Sequence, residues 1–574
     1  MREADHANGA GGMVERAVET RGGGLAIPAR WRLPLLVLFL LACFLPGLFT
    51  IPVVDRDEAR FAQASRQMLA SGDYVVPRLG EETRFKKPIG IYWLQSATAR
   101  ALGYGGEAPV WVLRLPSLAG AILAVLGTLA IGRHLFGEEA GYIAAALLGA
   151  SLILTVEARL AKTDAMQLAC AVGVQLVLAR AYLARKGEPL GLAPVLLFWG
   201  ALGLAILIKG PIVPLLAGLT IAALVIADRR AGWLTTLRPA IGVPVTALIV
   251  LPWLIAIYLQ AGTDFFHEAV GNDLLGKVAT GQESHGAPPG AHLAAFFIAF
   301  WPGAALAAGA APWVWTQRRR PSVRFCLAWA IPFWIVFELV ATKLPHYTLP
   351  AYPALALLAG AGLWGLRHSP SPLWARLLAG GAALGGAIGA FAGPGLLYMT
   401  EQRLDPVALA LAVLIAGLGA FGFIRALRGG PLKALPALLM QAAAVALMAF
   451  GVVVPQIDSA FLGPRLAAAL TRAPCPAPRV MVAGFDEASV LFHLGAATRL
   501  GNGAQAADFL AATPGCRAVF VSSRQQDTFT ARAAELGAAP VALTTVTGIN
   551  TAIMRRLSLT LYVSTGTPPD GPTP

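Results

Sequence analysis

Two clusters of opposite charge stand near each other early in this chain. Asp55-Arg56-Asp57-Glu58 offers carboxylates, and Arg84-Phe85-Lys86-Lys87-Pro88 offers cations. A carboxylate beside a hydroxyl can take its proton as the oxygen attacks. A lysine or arginine can hold the charge that develops on a departing phosphate. The two clusters together are the parts needed to move a group such as a sugar from a lipid phosphate to a hydroxyl. Taken alone, Asp57 and Glu58 also fit the start of a helix, where acids in the first turn oppose the macrodipole, so the chemistry depends on what else faces them.

More charged groups fall on the same side. Asp164 closes the stretch Glu157-Ala-Arg-Leu-Ala-Lys-Thr-Asp164 at the outer end of an apolar run, so carboxylates from separate loops meet one compartment. Lys343-Leu-Pro-His346-Tyr347 ends another apolar run on that side, and Lys277 and His285 lie in a polar segment between two more. Cations on the outer face of a membrane protein run against the positive-inside bias and so need a reason to be there. Binding an anion such as a lipid phosphate supplies one. His292 is read as a structural residue.

The elements that must position these groups are membrane spans. The chain has 574 residues, of which 56% are hydrophobic and 13% charged, about half the charge density of an ordinary soluble domain. Apolar stretches of the length a bilayer requires recur from Leu33 to Val454, which gives a polytopic α-helical membrane protein. The first follows a polar tail and Arg30-Trp-Arg32 without a small-residue cleavage site, so it reads as a retained span and not a cleaved signal. The net charge of +14 is a topology signal, not a nucleic-acid footprint, because Lys and Arg gather at alternate span ends. Threading on that rule gives about thirteen spans, near 33–51, 111–131, 141–156, 166–184, 190–207, 211–227, 240–259, 293–312, 323–341, 348–366, 377–398, 405–425 and 435–454. The N-terminus is then cytoplasmic and everything after Val454 lies outside. The parity rests on the short Lys209-Gly-Pro turn.

Residues 1–32 read as a mostly disordered cytoplasmic tail, 33–455 as the membrane domain with outer loops 52–110 and 260–292, 456–566 as a small periplasmic α/β domain, and 567–574 as a disordered tail. The first outer loop predicts helices over Glu58–Ala70 and Ile89–Leu102 lying along the membrane surface. In the C-terminal part, short apolar runs such as Arg479–Phe485 and Arg517–Ser522 alternate with helical stretches, the pattern of a small α/β fold. Cys475 and Cys516 each precede one of those runs, where parallel strands would bring them close and an outer compartment permits a disulfide. Cys43, Cys170 and Cys326 read as packing residues within spans. No internal repeat is apparent, which weighs against a duplicated transporter.

Several of these motifs carry a resemblance. Asp57-Glu58-Ala-Arg-Phe, the Lys87-Pro88 turn before Ile-Gly-Ile-Tyr-Trp, the Arg159 to Asp164 segment, and Lys343-Leu-Pro-His-Tyr-x-Leu-Pro-x-Tyr-Pro353 resemble the C-type membrane glycosyltransferases of the protein O-mannosyltransferase superfamily. The likeness is to the bacterial branch with the aminoarabinose lipid A transferases and lipopolysaccharide-core glycosyltransferases. The resemblance implies a polyprenyl-phosphate sugar donor, an acceptor on the outer face of the bacterial inner membrane, and inversion at the anomeric carbon. It also implies that Asp57 and Asp164 are the loop acids and Lys87 the phosphate-gripping lysine. Lys86 stands where the aminoarabinose enzymes carry a glutamate, which speaks against a divalent metal site and against aminoarabinose as the sugar. Lys277 stands in for an arginine of the third outer segment.

The candidate catalytic set is therefore Asp57, Glu58 and Asp164, and the candidate phosphate-binding set is Arg84, Lys87, Lys277, His285, Lys343 and His346. No cofactor and no metal ligand set is expected. The expected acceptor is lipid A or lipopolysaccharide core, with a protein Ser or Thr hydroxyl as the alternative. From another class, a transporter of lipid-linked sugars predicts ionisable residues near mid-span, whereas here the charges collect at outer ends. A sensor with an outer receptor domain leaves the acid and base clusters without a role.

Overall fold

The computed structural model describes residues 27–184, 189–276, 286–474, 477–512 and 515–564. Among them, eight helices are long and apolar enough to cross a bilayer: Val110–Phe136, Asp164–Leu183, Leu192–Lys209, Pro239–Ala261, Pro321–Leu339, Leu373–Glu401, Pro406–Gly429 and Pro431–Gln456. Ala291–Ala299 and Gly303–Gln317 would together make a ninth, but they are bent by 112° where Pro302 interrupts the helical hydrogen bonding. The other expected spans contain helices that are shorter than the roughly twenty residues of a straight crossing. These are Ala29–Phe44, Glu138–Ala150 followed by Leu152–Glu157, Ile212–Asp228 and Tyr352–Gly365. Leu248, Leu259, Ile298, Leu339 and Ile388 are well exposed on these helices, as side chains facing lipid would be. The chain is a multi-span helical membrane protein.

The helices pack closely where glycine removes a side chain from their contact. A Cβ on Gly120 of Val110–Phe136 would come 2.6 Å from the backbone of Met166 on Asp164–Leu183. This contact holds the N-terminal end of the second helix, and Asp164 with it, against the first. Gly132 and Gly141 meet in the same way, 2.5 Å from such a Cβ, joining Val110–Phe136 to Glu138–Ala150.

Outside the bundle, Asp57–Ser71 forms a helix that starts with two acids and ends at Gly72, a left-handed cap with φ +74° that glycine adopts without strain. One flank packs Phe61, Ala64 and Met68 against Ile89, Ile91 and Tyr92 of the segment leading into Gly90–Ala101. The other packs Ala59 and Ala62 against Val112, Leu113, Ala488 and Phe492. The helix is thus wedged between the bundle and the C-terminal part, and is more enclosed than a helix lying on a membrane surface. A short hairpin, Arg78–Leu79 with Glu82–Thr83, connects the two helices of this loop.

The C-terminal part holds a five-stranded sheet in the order Arg499–Gly501, Arg479–Ala483, Arg517–Ser522, Arg555–Val563, Val541–Asn550. The first three strands run parallel, and the last two are antiparallel additions. The strands Arg479–Ala483 and Arg517–Ser522 are buried almost throughout, as expected where helices cover both faces of a parallel sheet. Cys516 is disulfide-bonded, Cys475 lies outside the described residues, and Cys43, Cys170 and Cys326 are free and buried. Residues 1–26 of the N-terminal tail and all of 567–574 also lie outside the described residues.

Candidate active site

A cavity of about 420 Å³ lies where the loop 52–110 meets the ends of several spans. Asp57 enters it from the first turn of Asp57–Ser71, and Arg84, Lys86 and Lys87 enter from the segment before Gly90–Ala101. Asp164 and Lys209 reach it from the ends of their spans, and His346 from the short helix Pro345–Ala351. One wall is apolar, with Ile212, Leu215, Val336 and Leu349 among its residues. A cavity that is charged at one end and apolar at the other can take an amphipathic ligand.

The charges inside are arranged in pairs. Lys209 Nζ donates to Asp164 Oδ1 at 2.6 Å, Lys162 lies 3.7 Å from Asp164 Oδ2, and His346 Nε2 is 3.8 Å from Oδ1. Lys162 is also bound to Glu157 at 2.9 Å. Lys87 pairs with Asp273 across the cavity. Arg84, which is buried, bonds Tyr92 Oη through Nε at 3.1 Å and lies over the Phe61 ring. These contacts fix the guanidinium against the wall.

Asp57 is open to the cavity. Burial by itself would raise its carboxyl pKa, but the charges around it, Lys162 first among them, outweigh that effect and hold it below the ordinary carboxylate value. It is therefore ionised at neutral pH and ready to accept a proton. Burial pushes the His346 imidazolium down to about 3, so this histidine is neutral. It was expected to be a phosphate-binding cation; in this structure it lines the cavity as a neutral ring 3.8 Å from Asp164.

The expected residues divide into three groups. Asp57, Asp164, Arg84, Lys87 and His346 share the cavity. Glu58 and Lys343 do not line it. The Glu58 carboxylate turns inward and is bound by Arg114 through two contacts of 2.8 Å and by the backbone N–H groups of Val54 and Ala161. With its oxygens so fully used, it anchors the helix and is not brought to the cavity with Asp57. Lys343 Nζ caps the carbonyl end of Pro321–Leu339, donating to Glu338 O at 2.9 Å and to Val340 O. Its charge thus serves the helix terminus. Lys277 and His285 lie outside the described residues. His292 is buried and bonds Leu344 O at 3.1 Å, and Asp55 sits against Ser489 and Glu487, where burial pushes its carboxyl up to about 6.

Sequence reasoning missed Lys162, Lys209 and Asp273. Lys209 had a signal, as the charge closest to mid-membrane in the chain. Lys162 lay in plain view between Glu157 and Asp164, but only a fold that turns all three inward gives it a role. Among the described residues, no group of three or more His, Cys, Asp or Glu side chains is arranged to hold a metal ion.

Residues 86–255 match the family described as dolichyl-phosphate-mannose-protein mannosyltransferase. The chain is 29% identical over 411 residues to an undecaprenyl phosphate-alpha-4-amino-4-deoxy-L-arabinose arabinosyl transferase of Aeromonas hydrophila, covering 69% of this chain and 72% of that protein. It is 27% identical over 333 residues to the protein of the same name from Pectobacterium atrosepticum, covering 56% and 57%. With that relative, therefore, the chain spans little more than half of the other's length. In fold, it is similar to the crystal structure of ArnT from Cupriavidus metallidurans bound to undecaprenyl phosphate, with a TM-score of 0.72 at 21% identity over 93% of this chain and 98% of the other. It is also similar to the archaeal oligosaccharyltransferase AglB from Archaeoglobus fulgidus, with a TM-score of 0.52 at 14% identity over 90% and 69%.

Proposed function

We propose that this chain, similar in sequence and fold to the C-type membrane glycosyltransferases of the protein O-mannosyltransferase superfamily, is an inverting glycosyltransferase. It takes a sugar from a polyprenyl-phosphate donor and passes it to an acceptor at the outer face of the bacterial inner membrane. The observation that carries this reading is that Asp57 and Lys87 line the same cavity, with an apolar wall beside them. In the reaction, the acceptor oxygen attacks the anomeric carbon from the side of Asp57, which takes the hydroxyl proton. The bond from that carbon to the phosphate oxygen breaks on the opposite side, and the electron pair leaves with the polyprenyl phosphate. Lys87 and Arg84 stabilise that charge, and the Lys87 pair with Asp273 opens as the phosphate takes the lysine over. Asp164, held by Lys209, orders the floor of the cavity and supports Asp57 through the charges that they share.

The names of the relatives make the aminoarabinose lipid the first donor to try, and the acceptor in this reading is lipid A or lipopolysaccharide core. In this reading the bundle of 33–455 crosses the membrane about thirteen times, the N-terminus is cytoplasmic, and residues 456–566 form a periplasmic domain. The matching family's description favours a second acceptor, a protein Ser or Thr hydroxyl. The test is purified protein in lipid nanodiscs with undecaprenyl-phosphate aminoarabinose and either lipid A or periplasmic protein, read by mass spectrometry. Sugar on lipid A supports the reading, sugar only on protein moves it to the second acceptor, and intact donor in both arms rejects it for that donor.

A further inference from the structure

A second opening, of about 840 Å³, lies between the hairpin Arg78–Thr83 and the C-terminal sheet, and nothing in the reaction above uses it. Its walls come from Leu79 to Glu82 on one side and from Met481, Arg499 to Gly501, and the helix Gly503–Ala511 on the other. Arg60 belongs to both this cleft and the Asp57 cavity. A ligand seated in the cleft therefore reaches the wall of the reaction chamber.

The lining chemistry narrows what that ligand is. Arg499 and Arg517 both lie over the Phe509 ring, at 5.9 and 4.9 Å from its centroid. The Arg517 Nε is buried without a hydrogen-bond partner, and so is the Oγ1 of Thr498, another lining residue. Buried polar atoms of this kind are costly unless something completes them. Facing these groups are the carboxylates of Glu81, Glu82 and Asp486, which disfavour a polyanion such as nucleic acid and accept well from hydroxyls. The apolar area is too interrupted by charge for an acyl chain. Hydroxyl acceptors, phosphate-binding arginines and an aromatic ring together suit a phosphorylated saccharide.

We infer that this cleft binds the phosphorylated sugar head of the acceptor, with Arg499 and Arg517 on its phosphate, the facing carboxylates on its hydroxyls, and its reactive end directed past Arg60 toward Asp57. The inference rests on the transferase reading for the identity of the ligand, but it is tested by binding alone. The probe is the de-acylated glucosamine disaccharide bisphosphate of lipid A, which has no chains to enter the membrane. It is titrated by calorimetry into the full-length protein in nanodiscs.

Arg499→Ala removes a phosphate contact, and Ala512→Trp fills the cleft from an exposed lining position that disturbs no core. Each should weaken saccharide binding at least about tenfold and raise the acceptor KM without lowering kcat. Undecaprenyl phosphate should bind both variants as it binds the unmodified protein. Asp57→Asn should bind the saccharide undiminished while losing turnover, so full turnover with intact saccharide binding counts against the transferase reading and not against the cleft. Equal binding by Ala512→Trp and the unmodified protein would overturn the inference, and so would absence of saccharide binding by the unmodified protein.

Discussion

Glu58 and Arg114 form an ion pair that is almost completely buried, the side chains being 0% and 1% exposed. Arg114 also donates to the carbonyls of Leu48, Ile51 and Pro52, so a single guanidinium ties the chain entering the outer loop to the span Val110–Phe136. The adjacent residue, Asp57, depends on this anchor for its position. Breaking a buried pair strands the partner charge, which costs about 3–5 kcal/mol. Arg114→Ala should therefore lower the thermal unfolding midpoint of the detergent-solubilised protein clearly, and an unchanged midpoint would show that the pair does not hold the loop.

Asp57 has a different part, since its carboxylate opens to the cavity and has no such set of partners. Asp57→Asn keeps the shape and removes the base. Turnover should fall by roughly 10² to 10⁴, the range over which general bases contribute, while binding of undecaprenyl phosphate is retained. Full turnover by the variant would remove the proposed proton acceptor.

The contrast between these two neighbours marks the limit of what could be read in the sequence. Asp57 and Glu58 are chemically alike and adjacent, and only the helix phase, set by packing between Ala59, Phe61 and their partners, sends one inward and the other into the cavity. Eight of the expected spans were legible among the described residues because apolar length is a direct requirement of the bilayer. Helices broken at Ser151 or at Pro302 were read as continuous because hydropathy averages over a break. The place of Lys343 could not be read because a lysine at the end of a helix and one facing an anion have the same sequence signature. Asp273 was invisible for a further reason, since its partner Lys87 lies 186 residues away.

Lys87 is the residue best placed to follow the leaving phosphate. Lys87→Ala should cost on the order of 3 kcal/mol in the transition state, roughly a hundredfold in kcat/KM. Lys87→Arg should recover part of this, because a cation remains within reach. The informative comparison is Asp273→Asn, which frees Lys87 from its resting partner. That variant should bind undecaprenyl phosphate more tightly than the unmodified protein, and weaker binding would mean that Asp273 helps to build the phosphate site.

The state of Asp57 sets the acid side of the pH profile. Its folded pKa is below the ordinary carboxylate value because the surrounding charges, Lys162 first among them, outweigh the effect of its enclosure. A depressed carboxyl contributes stability that is present above its ordinary pKa and is lost as the pH falls through the lowered one. The base form persists down to that same point, so kcat should stay flat from neutrality to below the usual carboxylate range before it declines. Lys162→Met removes the cation that lowers the pKa most. The acid limb should then move to higher pH, while Lys162→Arg restores the original profile. A profile that does not move in Lys162→Met would show that the limb belongs to another group, and Asp57 would lose its claim to be the base.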